Sequence, residues 1–189
     1  MTTATAFRFG GRVSLDLTWT LRYRHVAPTE LLAQPGDLRR WIGVAMTPTR
    51  APVDDRQLSA AIDLREAVYR AASATIDGTP LHRADRALIN DWAERPGPHR
   101  RLNATGRTEI RLRAGDEIGS ALAAVASDAI DLLTADPGRL RRCEGPDCAL
   151  LFHDASRPGR RRWCSAERCG NRVNTTAYRR RRAPIPDQE

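Results

Sequence analysis

Four cysteines in the last quarter of the chain have the spacing of a metal site. The pairs Cys143-x4-Cys148 and Cys164-x4-Cys169 have the same internal spacing, and 15 residues separate them. Zinc in a structural role prefers four thiolates in a closed tetrahedron, and two short pairs joined by a loop supply them with little ordering of the chain. The spacing therefore predicts one zinc ion held by all four cysteines. Because such a ligand set leaves no open coordination position, the zinc is expected to be structural and not catalytic.

Other uses of these cysteines stay open at this point. Two disulfides would need an oxidising compartment, of which the sequence carries no sign. Redox thiols usually form one C-x2-C pair near a βαβ pattern, and four cysteines also suit an iron–sulfur cluster. The segment is too short for an adequate core of its own, so a bound metal would supply much of its folding free energy. Zinc is the prediction that this reasoning favours.

The positive charge of the chain is concentrated around these cysteines. The 189 residues carry a net charge of +8, and all 31 basic side chains are arginine. Thirteen arginines against four acidic residues give the segment 139–182 a net charge of +9, while residues 1–138 carry only +1. A basic segment beside a near-neutral domain predicts contact with nucleic acid, although a solvated charged face is the alternative. The residues predicted to contact DNA are Arg160, Arg161, Arg162, Arg168, Arg172, Arg179, Arg180 and Arg182.

The first 138 residues are predicted to form a mainly helical domain. Apolar residues recur at intervals of three and four, and turn residues punctuate them. Helices are predicted at about 14–21 and 37–44, capped by Ser14 and Asp37, then from Pro52 to Gly78, from Pro80 to Pro96 and over 116–134. Alternating residues over 108–113 predict a strand, paired with the stretch near Leu102. The fold class is therefore mainly α with a small β element (α+β).

The cysteine-bearing segment has its own predicted order of elements. A strand over 150–152, a turn over 156–159 and a returning strand over 161–163 deliver Cys164. Ser165 is expected to cap a helix with Cys169 in its first turns. Knuckle, hairpin and helix in this order are typical of a treble-clef zinc finger. This unit is predicted to span 139–182, after a boundary at 136–138, with 183–189 as a flexible tail.

The same segment resembles the CGNR zinc finger. The run Cys169-Gly170-Asn171-Arg172 is intact, as are Phe152-x-Asp154-x-Ser156 and Arg161-Arg162-Trp163-Cys164. The resemblance implies that the four cysteines bind zinc and that the finger binds DNA. One departure is Asn174, where such proteins commonly have Lys.

The amino-terminal region resembles the ABATE domain, which precedes this finger in bacterial proteins described as stress-induced transcription regulators. The matching residues are Gly11, Leu15-Asp16-Leu17, Thr20, Leu38-x-x-Trp41 and Leu64-Arg65-Glu66. The resemblance implies a regulatory or ligand-sensing role. Asp16, Thr20 and Arg65 are candidates for lining a polar ligand pocket, and the alternative is that they only cap or pair within the fold.

Enzyme activity is not expected. The chain has four histidines, none in an H-E-x-x-H arrangement, and no G-x-S-x-G elbow. His153 falls where HNH nucleases place a catalytic histidine, so a nuclease is the enzyme hypothesis most worth testing, but a later partner histidine is missing.

The sequence thus predicts a bacterial DNA-binding transcription regulator with an effector-sensing or dimerising amino-terminal domain. Without an uninterrupted apolar run of ~20 residues or a leader peptide, it is expected in the cytoplasm and not in a membrane. DNA is the expected partner, with a small-molecule effector and a second copy of the chain as further candidates. The alternative is a ligand-binding or protein-interaction protein in which the finger is only a stabilising module.

Overall fold

Helices α1 to α5 supply most of the buried apolar side chains in the described part of the chain. The computed structural model describes Phe7 and residues 10–171. The helices are α1 (Val13–Thr18), α2 (Pro35–Ala45), α3 (Asp55–Asp77), α4 (Arg83–Ala93) and α5 (Glu117–Ala135). The strands are β1 (Leu21–Arg22), β2 (Thr29–Glu30), β3 (His99–Leu102), β4 (Thr108–Arg111), β5 (Leu140–Arg142) and β6 (Leu151–His153). The predicted α+β class is confirmed.

Helices α3, α4 and α5 form the centre of the fold, because each of them packs against the other two. Helix α3 begins at a capping box, in which Asp54 accepts the amide of Gln57, and it ends at Gly78 with a φ of 65°. Several alanines on α3 and α5 are fully buried, among them Ala61 and Ala126, so these backbones approach closely, and the larger Leu64 and Leu122 are fully buried in the same cluster. The Ala- and Leu-rich composition is therefore used for tight helix packing.

Helix starts differ in detail from the sequence prediction. Arg12, not Ser14, occupies the N-cap position of α1, and the hydroxyl and amide of Ser14 instead bind the carboxylate of Asp128 on α5. Helix α2 starts earlier than predicted, at Pro35, and Asp37 completes a capping box with Gln34. Ser14 and Asp37 are thus residues of the type that caps helices, and Asp37 does so. The side chain of Ser14 binds a residue distant in the sequence instead.

Within the described residues, three separate two-stranded antiparallel sheets accompany the helices. The predicted pairing of β4 with the stretch near Leu102 is present, with Leu102 opposite Thr108. Strands β1 and β2 were not predicted, because two residues are too few for an alternating pattern. Strand β6 pairs with β5 across the first cysteine pair.

The finger packs directly onto the helical domain. A short 3-10 turn, Pro137–Arg139, leads from α5 straight into β5. Leu140 of β5 and Leu151 of β6 are buried in one cluster with Leu15, Ala72 and Leu132 of the helices. Residues on both sides of the predicted boundary at 138 therefore share a hydrophobic core.

Helix α5 is long and apolar enough to span a membrane by length and composition alone, but 56% of its apolar window is buried inside the protein. It contacts α1, α3 and α4. Burial on this scale is what a central core helix requires, so the hydropathy of α5 is explained by packing.

Candidate metal centre and arginine surface

The structure brings the four predicted cysteines together in one cluster. Their Sγ atoms all lie within 4.8 Å of one another, and none forms a disulfide. The Sγ of Cys164 lies 3.7 Å from that of Cys148 and 3.7 Å from that of Cys169. A tetrahedron with Zn–S bonds of about 2.3 Å has S···S edges of about 3.8 Å. Both separations from Cys164 match that edge, and all four sulfurs lie close enough to share one zinc ion.

The first cysteine pair lies on a knuckle between β5 and β6. The amide of Cys143 donates to the carbonyl of Leu150 and extends the β5–β6 ladder into the knuckle. The amides of Gly145 and Cys164 point at the sulfur of Cys143, at 3.4 and 3.3 Å. A side chain at Gly145 would be obstructed, because a Cβ there would lie 2.9 Å from the Cβ of Cys169. The backbone thus reaches the metal site closely enough to require glycine at this position.

Hydrogen bonding favours the thiolate form of Cys143. Contacts with the thiols of Cys148 and Cys164, and then the two amides, hold the pKa of Cys143 well below that of an ordinary thiol. The contact with the Cys143 thiolate and burial raise the pKa of Cys148, against an opposing hydrogen bond with the thiol of Cys164. One thiolate is therefore favoured within the cluster, whereas the loss of further protons is opposed, and a divalent cation would offset the repulsion among four thiolates.

The second cysteine pair is positioned differently from the prediction. Residues 161–163 do not form the predicted returning strand. Only one backbone bond, from the amide of Glu144 to the carbonyl of Arg162, joins this stretch to the knuckle in the described part of the chain. Cys169 lies in a π-helical turn, Ala166–Gly170, and Ser165 holds the N-cap position without a side-chain hydrogen bond. Ser165 therefore occupies the predicted N-cap position, but its hydroxyl makes no capping hydrogen bond within the described residues.

Asp154 holds the loop between β6 and Cys164 in place. Its buried carboxylate accepts the amide and hydroxyl of Ser156 at 3.0 and 2.6 Å, and the amide of Arg161 at 2.8 Å. Burial by itself would raise the pKa of Asp154, but these hydrogen bonds lower it to about 2. The ionised side chain therefore fixes the backbone that carries the exposed arginines.

Several finger arginines are engaged inside the fold. Arg139 and Arg141 donate to backbone carbonyls of the 154–159 loop, and Arg161 donates to the carbonyl of Cys164. Arg142 pairs with Asp77 at 3.0 Å and Arg162 with Glu144 at 2.6 Å. Part of the +9 charge is thus used in contacts within the protein. The count of charges in the sequence could not distinguish these arginines from free ones.

Three exposed arginines remain available on the finger. Arg157, Arg160 and Arg168 make no side-chain hydrogen bond or ion pair with any other residue that the structure describes. We call these three residues the arginine surface. Arg157 was not predicted, although its place in the predicted turn over 156–159 was a signal that could have found it. The other predicted DNA contacts, Arg172, Arg179, Arg180 and Arg182, lie outside the described residues, as does the predicted tail 183–189.

The three candidates for a ligand pocket separate into two sites. Arg65 is buried and donates to Thr20 at 3.2 Å, to Glu30 at 2.7 Å and to Glu66 at 2.8 Å. Asp16 instead accepts the amide of Gly10. Thr20 and Arg65 therefore belong to an internal polar network, and ligand binding by these residues stays a prediction.

Sequence reasoning missed Trp19, which connects the two parts of the molecule. Its indole ring is 3% exposed and packs with Phe152 and the cysteines. Its N–H donates to the carbonyl of Leu151 at 2.6 Å. The N–H of a buried tryptophan usually needs a hydrogen-bond partner. The tryptophan at the end of a short helix was therefore a sign of such a contact, but the sequence did not indicate which residue would accept the bond.

A helical domain joined through a shared core to a four-thiolate centre defines a zinc-finger protein. The model of the ABATE family, described as "Putative stress-induced transcription regulator", matches residues 11–136, and that of the CGNR zinc finger matches residues 139–182. The chain belongs to the ABATE family and carries a CGNR zinc finger after that domain. The finger family and the four clustered sulfurs fit one structural zinc ion, which confirms the predicted cofactor. A comparison with curated proteins finds no match.

Proposed function

We propose that this protein is a cytoplasmic, DNA-binding transcription regulator whose zinc finger contacts the phosphate backbone. The observation that carries the proposal is the arginine surface formed by Arg157, Arg160 and Arg168. These side chains are exposed and make no side-chain hydrogen bond or ion pair within the described residues, and they lie in the segments between the clustered cysteines, where Asp154 accepts the backbone amide of Arg161. The family description supports a regulatory role and suggests that the regulation belongs to a stress response.

The physical basis is electrostatic. Each arginine that neutralises a phosphate releases condensed counterions, which gives affinity and a steep dependence on salt. The zinc site and Asp154 hold the loop in one conformation, so less backbone freedom is lost on binding. Phosphate contacts of this kind orient a finger on DNA without reading its sequence.

Titration of DNA binding against salt tests the proposal. The zinc-loaded full chain is expected to bind duplex DNA with an affinity that falls steeply as salt rises. The double variant Arg160→Gln/Arg168→Gln should reduce the slope of log K against log salt by about 2, one for each lost phosphate contact. The control Arg86→Gln removes an exposed charge from α4 and should leave affinity and slope close to wild type. Binding without salt dependence, or unchanged in the double variant, would contradict the proposal.

A second candidate is a ligand-binding or protein-interaction protein in which the finger only stabilises the helical domain. The shared core of Leu140 and Leu151 with Leu15 and Leu132 favours it. Removing the finger would expose that core, so truncation at residue 138 would confuse loss of stability with loss of function. Surface variants of the intact chain avoid this difficulty. If charge removal at Arg160 and Arg168 leaves DNA binding and regulation unchanged, the second candidate is preferred.

We also propose that the protein is not an enzyme. Within the described residues, the four cysteines form the group of metal-ligating side chains that could hold an ion, and His153 is not part of it. DNA incubated with the protein and magnesium or zinc should stay intact. Cleavage that is lost in His153→Ala would instead support the nuclease hypothesis.

A further inference from the structure

The β3–β4 hairpin leaves apolar side chains in solvent. Leu102 is 72% exposed and Ile110 is 48% exposed, and both lie on one face as diagonal neighbours across the two strands. On the same face, the next alternate residue, Leu112, is buried in the main core. The hairpin therefore continues an apolar face beyond the edge of the folded domain.

The backbone of β4 also presents an unpaired edge. The amide of Asn103 donates to the carbonyl of Arg107, which marks this pair as hydrogen-bonded. Because hydrogen-bonded and non-hydrogen-bonded pairs alternate in antiparallel sheets, the N–H and C=O groups of Thr108 and Ile110 point away from β3. Neither residue makes another backbone hydrogen bond within residues 10–171. An edge of this kind is a template for adding a strand.

We propose that β4 pairs antiparallel with β4 of a second copy of this chain, around a two-fold axis at Ile110. This register makes Ile110 and the partner's Ile110 a hydrogen-bonded pair, which uses both outward groups. It places the two isoleucine side chains together on the apolar face. The product is a four-stranded sheet in the order β3, β4, partner β4 and partner β3.

Charge on the other face of the hairpin selects this register. Glu109 and Arg111 lie on that face and pair with each other at 2.9 Å. With the axis at Ile110, Glu109 stands opposite the partner's Arg111, and Arg111 stands opposite the partner's Glu109. Arg101 already lies opposite Glu109 on β3. Arg101, Glu109 and the partner's Arg111 therefore alternate in sign along one row, and the two-fold axis repeats this arrangement on the other side.

A single strand edge buries less surface than a standard stable interface, so a reversible dimer is expected. Analytical ultracentrifugation of the zinc-loaded full chain over a concentration series should show a monomer–dimer equilibrium. Ile110→Pro removes the amide on the axis but no bond to β3, so the variant should remain folded and become monomeric. The matched control Arg100→Pro alters the outer edge of β3 and should still dimerise. A wild-type monomer at every concentration, or a dimer that survives Ile110→Pro, would overturn the proposal.

Charge reversal tests the register itself. In a dimer of two Glu109→Arg chains, arginine would stand opposite arginine at both pairs between positions 109 and 111. In a dimer of two Arg111→Glu chains, glutamate would stand opposite glutamate at the same pairs. Each variant alone should therefore be monomeric. Mixed in equal amounts, they should form a heterodimer, because every opposing pair then has opposite sign. Circular dichroism of each variant checks that it is folded. Failure of two folded variants to associate on mixing would overturn this register.

Discussion

The indole N–H of Trp19 donates to the carbonyl of Leu151 over 2.6 Å and joins the end of α1 to the strand that follows the zinc knuckle. The same ring is buried in one hydrophobic cluster with Cys143, Cys148 and Cys169. Trp19 therefore links the surroundings of the metal centre to the helical domain, beside the shared core of Leu140 and Leu151 with the helices. The two parts of the chain are coupled by direct contact, not only by sequence connection.

Replacing Trp19 measures this coupling. Trp19→Phe keeps an aromatic ring but leaves the buried carbonyl of Leu151 without its donor, so the free energy of unfolding should fall. The matched control is Trp41→Phe, because Trp41 is also buried and its N–H makes no hydrogen bond within the described residues. Trp19→Phe should lower the unfolding free energy by roughly 1–3 kcal/mol more than the control, measured by urea denaturation. Equal losses would show that the hydrogen bond contributes nothing.

The fold was predictable where local signals are strong. Capping residues at Asp54 and Asp116 and the stop at Gly78 fix α3 and α5 from their own neighbourhoods. The two-residue strands β1 and β2 were not predictable, since they form only because the chain turns back after α1. The start of α1 was misassigned because Ser14 bonds to Asp128, 114 residues away.

In the candidate site, too, features with a local sequence signal were predictable, and features set by contacts between distant residues were not. The spacing identified all four cysteines, because the two ligands of each pair are only five residues apart in the sequence. The strand expected at 161–163 failed because Asp154 and the knuckle hold that stretch instead of a ladder. Counting charge did not reveal which arginines were free, since pairs such as Arg142 with Asp77 join distant parts of the sequence.

Gly145 is expected to control zinc affinity. Gly145→Ala places a methyl group 2.9 Å from the Cβ and 3.1 Å from the Sγ of Cys169, so the ligand must move. Affinity for zinc, measured by competition with a chromophoric chelator, should fall by roughly ten- to a hundredfold, as for other groups that hold metal ligands in place. Gly97→Ala is the control, because its Cβ meets no atom within 4 Å. An unchanged affinity in Gly145→Ala would mean that the knuckle can shift without affecting the sulfurs.

Asp16 should make stability depend on pH. Burial raises its pKa to about 6, against an offsetting bond from the amide of Gly10 and with a smaller contribution from Asp128. The folded state thus holds the proton more tightly than the unfolded chain, whose value is near 3.8. Ionisation of Asp16 therefore destabilises the fold above pH about 6, and the loss is recovered as the pH falls toward 4.

Asp16→Asn removes this titration and keeps an acceptor for Gly10. It should raise the free energy of unfolding at neutral pH by up to roughly 3 kcal/mol and flatten its profile between about pH 7 and 4. Urea denaturation across this range gives the profile. Asp91→Asn, an exposed change on α4, should keep the wild-type profile. A wild-type profile in Asp16→Asn would show that the carboxylate stays ionised.

The pair between Arg162 and Glu144 is expected to restrain DNA binding. The two side chains are 62% and 52% exposed and meet at 2.6 Å, so the pair contributes at most about 1 kcal/mol to stability. Glu144→Gln releases the guanidinium but keeps the backbone bond between these residues, which leaves the loop in place. On the proposed function, affinity for duplex DNA should increase and the salt slope should steepen by about 1. Glu94→Gln makes the same change in net charge at the end of α4 and serves as the control. Equal gains in the two variants would assign the effect to overall charge, whereas a gain confined to Glu144→Gln places Arg162 at the phosphate backbone.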